Sequence, residues 1–197
     1  MSYAIIGLGN IGTAIAQAFA RQGIEVAVAG RRPVDTLAAQ IGPSLIPLRV
    51  EDAVKADVVI LAMPFAAHRE IAQAAESWQG KIVIDATNAF GVPPEELGGL
   101  PSTAAMAQVL PGAKVVKAFN HLPAGVLAQG PTTPQGGRRV VFLASDDDAA
   151  SASVAALVNR LGFAPIELGK LGEGGLLVQA RGNTWGQLIF QDVAKFD

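Results

Sequence analysis

Short apolar runs alternate with amphipathic stretches along most of the chain. Continuous runs of four to seven residues are typical of parallel strands that helices cover on both faces. Such runs occupy residues 26–29, 57–63, 81–85, 114–118 and 140–144, and weaker candidates lie at 4–6, 45–48 and 163–167. After the first run, Ile11, Ile15 and Phe19 recur at helical spacing. The pattern predicts an α/β fold of the Rossmann type, with a doubly wound, mainly parallel sheet.

The remaining pattern defines the other helices and the domain organisation. Helices are predicted at residues 66–77, 103–110 and about 146–161, and loops rich in glycine and proline at 91–101 and 125–139. Residues 1–168 then form one Rossmann domain. Residues 169–197 are apolar and interrupted by glycines, and they contain Trp185 and Phe190. We expect them to form a small C-terminal lobe packed on the same domain.

Three glycines follow the first apolar run with the spacing of a dinucleotide-binding turn. Gly7 would allow the tight turn, Gly9 a close approach of the backbone to a pyrophosphate, and Gly12 close packing of helix on strand. The N–H groups near Asn10 and Ile11 would face the pyrophosphate at the positive end of the helix dipole. A chance cluster among 22 glycines is the alternative, but the flanking strand, helix and second strand favour a nucleotide site.

The end of the second predicted strand indicates which nucleotide binds. An NAD site usually has an acidic residue here that accepts from the ribose 2′-OH, whereas this chain has Gly30, Arg31 and Arg32. Guanidinium groups cannot accept from a hydroxyl, but they bind a phosphate well. The sequence therefore favours NADP(H), the alternative being a solvated turn before Pro33.

Composition narrows the function further. The chain has no cysteine, a net charge of −2 and 50% apolar residues, yet no apolar run long enough to cross a bilayer. We expect a soluble cytoplasmic protein that binds neither nucleic acid nor membrane, and that forms a homodimer. His68 and His121 lack the spacing of a zinc motif, so no metal site is predicted.

In a doubly wound sheet, ligands bind beyond the carboxyl ends of the strands. Met63, Pro64 and Phe65 follow one predicted strand and could line the nicotinamide channel, or simply pack there. Asn88 and Asn120 end two others, where amides could bond a ribose or carboxamide, or only form turns.

His121 is the one catalytic candidate. It follows Asn120 and could donate a proton or hydrogen bond near the reacting ring. A polar contact with the cofactor, or a simple surface histidine, is the alternative.

Five segments together resemble the NADPH-dependent F420 reductase family, NADP oxidoreductases that act with coenzyme F420. The ferric-reductase domains of the STEAP membrane proteins share the pattern and use a flavin. The segments are AIIGLGNIG at 4–12, GRR at 30–32, VILAMP at 59–64, IDATN at 84–88 and VKAFN at 116–120.

The resemblance implies NADPH bound at the strand ends and hydride passed directly to a small-molecule acceptor, F420 or a flavin. Such a reaction depends on positioning more than on acid or base residues. Hydroxy-acid dehydrogenases and imine reductases begin with the same unit, but they need a large helical second domain for which too little chain remains. A non-catalytic NADP(H) sensor stays open as the alternative.

Overall fold

The structure is a computed structural model, and it describes residues 1–134 and 136–180. Trp185 and Phe190, with the rest of the predicted C-terminal lobe beyond residue 180, lie outside the described residues. Among the described residues, no helix is both long enough and apolar enough to cross a membrane.

Eight strands and seven α-helices make up the described part of the chain. The strands are β1 (Tyr3–Ile6), β2 (Val26–Ala29), β3 (Leu45–Pro47), β4 (Val58–Leu61), β5 (Ile82–Asp85), β6 (Lys114–Ala118), β7 (Val140–Ser145) and β8 (Ala164–Glu167). The helices are α1 (Asn10–Arg21), α2 (Asp35–Ile41), α3 (Val50–Ala53), α4 (His68–Ala72), α5 (Ser102–Gln108), α6 (Ala124–Ala128) and α7 (Asp148–Arg160). Short 3₁₀ turns occupy Phe65–Ala67, Pro94–Leu97 and Gly174–Val178.

The strands form one sheet in the order β3-β2-β1-β4-β5-β6-β7-β8. Strands β1 to β6 are mutually parallel, whereas β7 pairs with β6 antiparallel and β8 pairs with β7 parallel. The carboxyl ends of β1 to β6 therefore share one edge. The chain runs outward in both directions from β1 and β4, which makes their junction the topological switch point. This confirms the predicted doubly wound, mainly parallel fold.

Two apolar cores cover the two faces of the sheet. In β1, Ile5 belongs to one core with α1 and α7, while Ala4 and Ile6 belong to the other. Strand β4 alternates in the same way. Because successive side chains of a strand point to opposite faces, a strand buried on both faces is apolar at nearly every position. The continuous apolar runs of the sequence thus have a direct structural cause.

The sequence misplaces two helices. Residues 125–139 are predicted as a loop, but Ala124–Ala128 is a helix that packs on α1. Burial of Leu127 between these helices outweighs the weak local helix preference of Gly125. The helix predicted at residues 66–77 is instead a 3₁₀ turn followed by α4, which ends at Ala72.

A buried polar network joins β5 and β6 to α5. Asp85 and Lys117 are register partners with side chains 0% and 3% exposed, and their Oδ2 and Nζ atoms lie 3.7 Å apart. Thr103 Oγ1 donates to Asp85 Oδ2 and accepts from Lys117 Nζ at 2.9 Å. Asp85 Oδ1 accepts from the backbone and hydroxyl of Thr87 at 2.9 and 2.6 Å. Burial lowers the pKa of Lys117, and the Asp85 carboxylate opposes that shift.

We expect Lys117→Met to destabilise the protein by about 3–5 kcal/mol, because it leaves the Asp85 carboxylate buried without a cation. Chemical denaturation measures the loss. Lys114→Met is the matched control, since Lys114 pairs with Asp147 at a half-exposed position and an exposed pair contributes at most about 1 kcal/mol.

The double variant Asp85→Asn with Lys117→Met tests the same interpretation from the other side. Removing both charges should recover more than half of the stability lost in Lys117→Met. Equal losses in Lys117→Met and Lys114→Met would show that the buried pair has no special role.

Candidate functional site

The glycine-rich turn lies at the switch point between β1 and β4. Gly7 adopts φ +98°, and a Cβ there would lie 2.9 Å from the carbonyl oxygen of Ala62 after β4. A Cβ on Gly12 would overlap the carbonyl oxygen of Gly7. These two positions therefore admit only glycine, because one needs a left-handed backbone and both lack space.

Gly9 has a different environment. A Cβ at this position would meet no atom within 4 Å, and its φ of −79° is open to any residue. The space over Gly9 is thus a gap beside the backbone, which a side chain would enter. Packing does not explain a glycine here, whereas the close approach of a ligand does.

Helix α1 starts at this gap. Its first intrahelical hydrogen bond runs from Thr13 N to Gly9 O at 2.9 Å, so the N–H groups of Asn10, Ile11 and Gly12 precede the helical ladder. They carry the positive end of the dipole of a 12-residue helix. The arrangement suits an anion such as a pyrophosphate.

A cleft of about 1250 Å³ opens along this edge of the sheet. The predicted site residues that line it are Gly7, Gly9, Gly30, Arg31, Arg32, Met63 and Pro64. The volume exceeds the roughly 300–1000 Å³ of pockets for drug-sized ligands, as an extended dinucleotide requires. The ends of β1, β2 and β4 thus meet at one cleft.

Arg31 and Arg32 are both exposed at the β2 end of the cleft. Within residues 1–134 and 136–180, neither guanidinium group has a carboxylate at ion-pair distance. Both groups can therefore bind an anion without first breaking an ion pair.

Phe65 differs from its two neighbours. Its side chain is 3% exposed and belongs to the second core, where its ring lies 4.5 Å from that of His68. His68 Nδ1 lies 2.6 Å from Phe65 O. Of the two possibilities for Phe65, packing is the one that this geometry favours.

Asn88 and Asn120 form a pair beyond β5 and β6. Asn88 Nδ2 donates to Asn120 O at 2.9 Å, and Asn120 Nδ2 donates to Asn88 Oδ1 at 3.0 Å and to Val178 O at 2.7 Å. Asn120 is 4% exposed, and its Oδ1 has no hydrogen-bond partner among the described residues. Asn120 Oδ1 is thus the one amide oxygen of this pair for which the described residues supply no hydrogen-bond donor.

The backbone before this pair is strained. Phe119 adopts φ +63°, which is the left-handed region and is rare for a bulky residue. Its buried ring packs against Phe163 with centroids 6.3 Å apart. Core packing on Phe119 thus fixes the direction in which the chain presents Asn120.

His121 lies in a small apolar cluster rather than on the cleft wall. Its side chain is 2% exposed, its ring lies 4.9 Å from that of Phe142, and Nε2 donates to Val140 O at 3.2 Å. Nδ1 has no partner among the described residues. Burial lowers the pKa of His121 to about 4, and the bond to Val140 O only partly opposes that shift. The imidazole is neutral at pH 7.

Three charged residues line the cleft that the sequence analysis does not single out: Arg49, Glu51 and Glu70. Arg49 comes two residues after β3, and β3 is the parallel neighbour of β2. The rule that ligands lie beyond strand ends applies to β3 as well, so Arg49 could have been predicted as a cleft residue from the sequence. The shortness of β3 and its proline obscured this strand end.

Relatives of known structure share this architecture. A hypothetical protein from Sinorhizobium meliloti is 42% identical, with a TM-score of 0.86 over 92% of this chain and 91% of its own. A protein from Arthrobacter sp. FB24, described as an F420-dependent NADP reductase, is 29% identical, with a TM-score of 0.67 over 87% of this chain and 86% of its own.

Comparisons of sequence point the same way. Metalloreductase STEAP3 of Rattus norvegicus is 32% identical over 170 residues, which are 85% of this chain and 33% of that protein. The chain thus spans about a third of the length of the curated relatives it matches. The family model that matches residues 2–89 is NADP oxidoreductase, coenzyme F420-dependent. Residues 2–89, which contain the glycine turn, both arginines and Asn88, are therefore a domain of this NADP oxidoreductase family.

Proposed function

We propose that the protein binds NADP(H) in the cleft and catalyses hydride transfer between NADPH and a deazaflavin such as F420, or a flavin. The observation that carries the proposal is the cleft itself. The cleft is lined by a glycine turn with an open gap over Gly9, and by Arg31 and Arg32, which are exposed after β2.

The described residues fit the dinucleotide along its length. Backbone N–H groups at the start of α1 would hold the pyrophosphate, because Gly9 leaves room for it. Arg31 and Arg32 would hold the 2′-phosphate through charge-assisted hydrogen bonds. The pyrophosphate and the 2′-phosphate thus each have a partner of complementary charge.

Met63 and Pro64 would form the wall beside the nicotinamide ribose, since they follow β4 in the same cleft. Asn120 is buried beyond β6 and does not line the cleft. Both hydrogens of its amide are already donated, and its buried Oδ1 lacks a partner among the described residues. The contact of Asn120 with a ribose or carboxamide therefore stays a prediction.

Bound NADPH would supply a hydride to the acceptor, and the proton that completes the reduction of the acceptor would come from bulk solvent outside the transfer step. The chain's contribution is then to hold two rings at reacting distance and to exclude solvent. Among the described residues that line the cleft, none is a histidine. This is consistent with a reaction that needs positioning and no general base.

Turnover separates this proposal from a non-catalytic NADP(H) sensor. NADPH oxidation is followed at 340 nm with F420, FMN, FAD and a quinone, each in excess. Saturable turnover with F420 or a flavin, and none with the quinone, supports the proposal. NADPH binding without turnover on any acceptor would favour the sensor.

The predicted homodimer and the C-terminal lobe at 169–197 stay predictions. Residues 174–178 of that lobe pack against β7, and Val178 is 3% exposed. Sedimentation velocity would measure the oligomeric state directly.

Replacing Arg31 and Arg32 with Ala should weaken NADPH binding by tenfold or more. Charge-assisted hydrogen bonds to a phosphate contribute about 1.5–3 kcal/mol each when well formed. NADH serves as the control, because its 2′-hydroxyl gives the arginines no charge to bind. Calorimetric titration with both nucleotides measures the two affinities. An equal loss for NADH would mean that the arginines contact a part of the ligand other than the 2′-phosphate.

Gly9→Val should abolish NADPH binding while the protein stays folded, because the added side chain enters open space and not the core. Gly125→Val is the matched control, since that position is also exposed and unobstructed. Gly12→Val should instead destabilise the fold through overlap with Gly7 O. Normal NADPH affinity in folded Gly9→Val would contradict the assignment of the cradle.

For His121, its buried ring supports a packing role. The unfolded chain binds a proton near pH 6.5, but the folded ring does so only near pH 4. The free energy of unfolding should therefore fall as pH drops from 6.5 to 4, by about 3 kcal/mol from this residue. His121→Gln should lack that component, as denaturation at several pH values would measure.

Kinetics test the catalytic role predicted from the sequence. A fall in kcat of about 10²-fold in His121→Gln, with NADPH affinity unchanged, would be the effect of losing a donor to the acceptor. With a packing role, the folded fraction of the variant keeps a kcat within about twofold of the original.

A further inference from the structure

A third arginine lines the proposed adenosine end of the cleft. Leu48 N donates to Val28 O at 2.9 Å, so the chain leaving β3 is still bonded to the end of β2. Arg49 follows immediately, and Arg31 and Arg32 follow β2. All three arginines line the same cleft.

Arg49 is held by a carboxylate that lines the cleft as well. Its Nε lies 3.4 Å from Oε2 of Glu51, and the two side chains are 81% and 60% exposed. An exposed pair of this kind contributes little to folding, because water screens it. Arg49 also makes no cap with its side chain at the start of α3. Folding stability thus does not account for this pair.

We propose that Arg49 and Glu51 act as a specificity pair for the 2′-phosphate of NADP(H). Arg49 binds the phosphate with Arg31 and Arg32, and Glu51 competes with that phosphate for Arg49. The inference rests on the proposed binding of NADP(H) in the cleft. It adds to Arg31 and Arg32 one residue that strengthens binding of the 2′-phosphate, Arg49, and one that weakens it, Glu51.

The chemistry explains why the pair discriminates. A phosphate carries more charge than the Glu51 carboxylate and offers a guanidinium group three oxygens, so it displaces the glutamate. NAD(H) has a neutral hydroxyl there, so Arg49 stays with Glu51 and gains nothing on binding. Glu51 therefore weakens NADP(H) binding somewhat through its competition for Arg49, while leaving NAD(H) nearly unaffected.

Calorimetric titration with NADP⁺ and NAD⁺ at low ionic strength tests the pair. Arg49→Ala should weaken NADP⁺ binding about tenfold and leave NAD⁺ binding within about twofold. Glu51→Gln should tighten NADP⁺ binding about threefold. The double variant should bind NADP⁺ no better than Arg49→Ala, because Glu51 acts through Arg49.

Two matched controls remove general effects of charge. Arg69→Ala removes an exposed arginine that does not line the cleft, and Glu70→Gln removes the cleft's other carboxylate. Neither should change the ratio of NADP⁺ to NAD⁺ affinity by more than about twofold. If Glu70→Gln tightened NADP⁺ binding as much as Glu51→Gln, the effect would come from a general loss of negative charge in the cleft. That result would overturn the proposal that Arg49 and Glu51 act as a pair.

Adenosine 2′,5′-bisphosphate and AMP locate the effect on the ligand. The loss in Arg49→Ala should appear with the bisphosphate and not with AMP. Equal losses for both would mean that Arg49 stacks on the adenine, which overturns the proposal. Loss of NADP⁺ affinity in Arg31→Ala but not in Arg49→Ala would overturn this inference alone. No preference of the unmodified protein for NADP⁺ over NAD⁺ would overturn the proposed function with it.

Discussion

The close contact of α1 with the ends of β1 and β4 is the constraint on which the cleft depends. Gly12 lies against the carbonyl oxygen of Gly7, and Gly7 lies against Ala62, so three segments meet without a side chain between them. This contact brings the start of α1 down to the sheet edge. Without it the helix would stand farther from the sheet, and its N–H groups would not face the space over Gly9.

Much of this arrangement could be predicted from the sequence. Gly7 and Gly12 signal a backbone constraint that only glycine meets, and the apolar runs signal strands buried on both faces. Both constraints act within a short segment of the chain, so a short segment of sequence is enough to reveal them. The eight strands and the common edge of β1 to β6 follow from them with the rules of parallel topology.

The parts that the sequence did not predict depend on contacts between distant residues. Nothing near His121 in the chain indicates that Val140 and Phe142 enclose its ring, because β7 begins about twenty residues later. The engagement of Asn120 by Val178 spans 58 residues. Lys117 also depends on a distant residue, since its charge is tolerated in a buried strand only because Asp85 of β5 pairs with it. Spacing and periodicity carry no mark of such pairings.

The reversal of β7 and β8 in the sheet has a mechanical consequence. Both strands end at the edge opposite the cleft, where Lys170 Nζ contacts Asp148 and Leu171 N donates to Asp146. By Val178 the chain has returned to the cleft edge and reached Asn120. This stretch is therefore a tether about ten residues long, anchored by polar contacts at both edges of one sheet. A shift of the amide pair would pull on a segment whose other end is fixed at the start of α7.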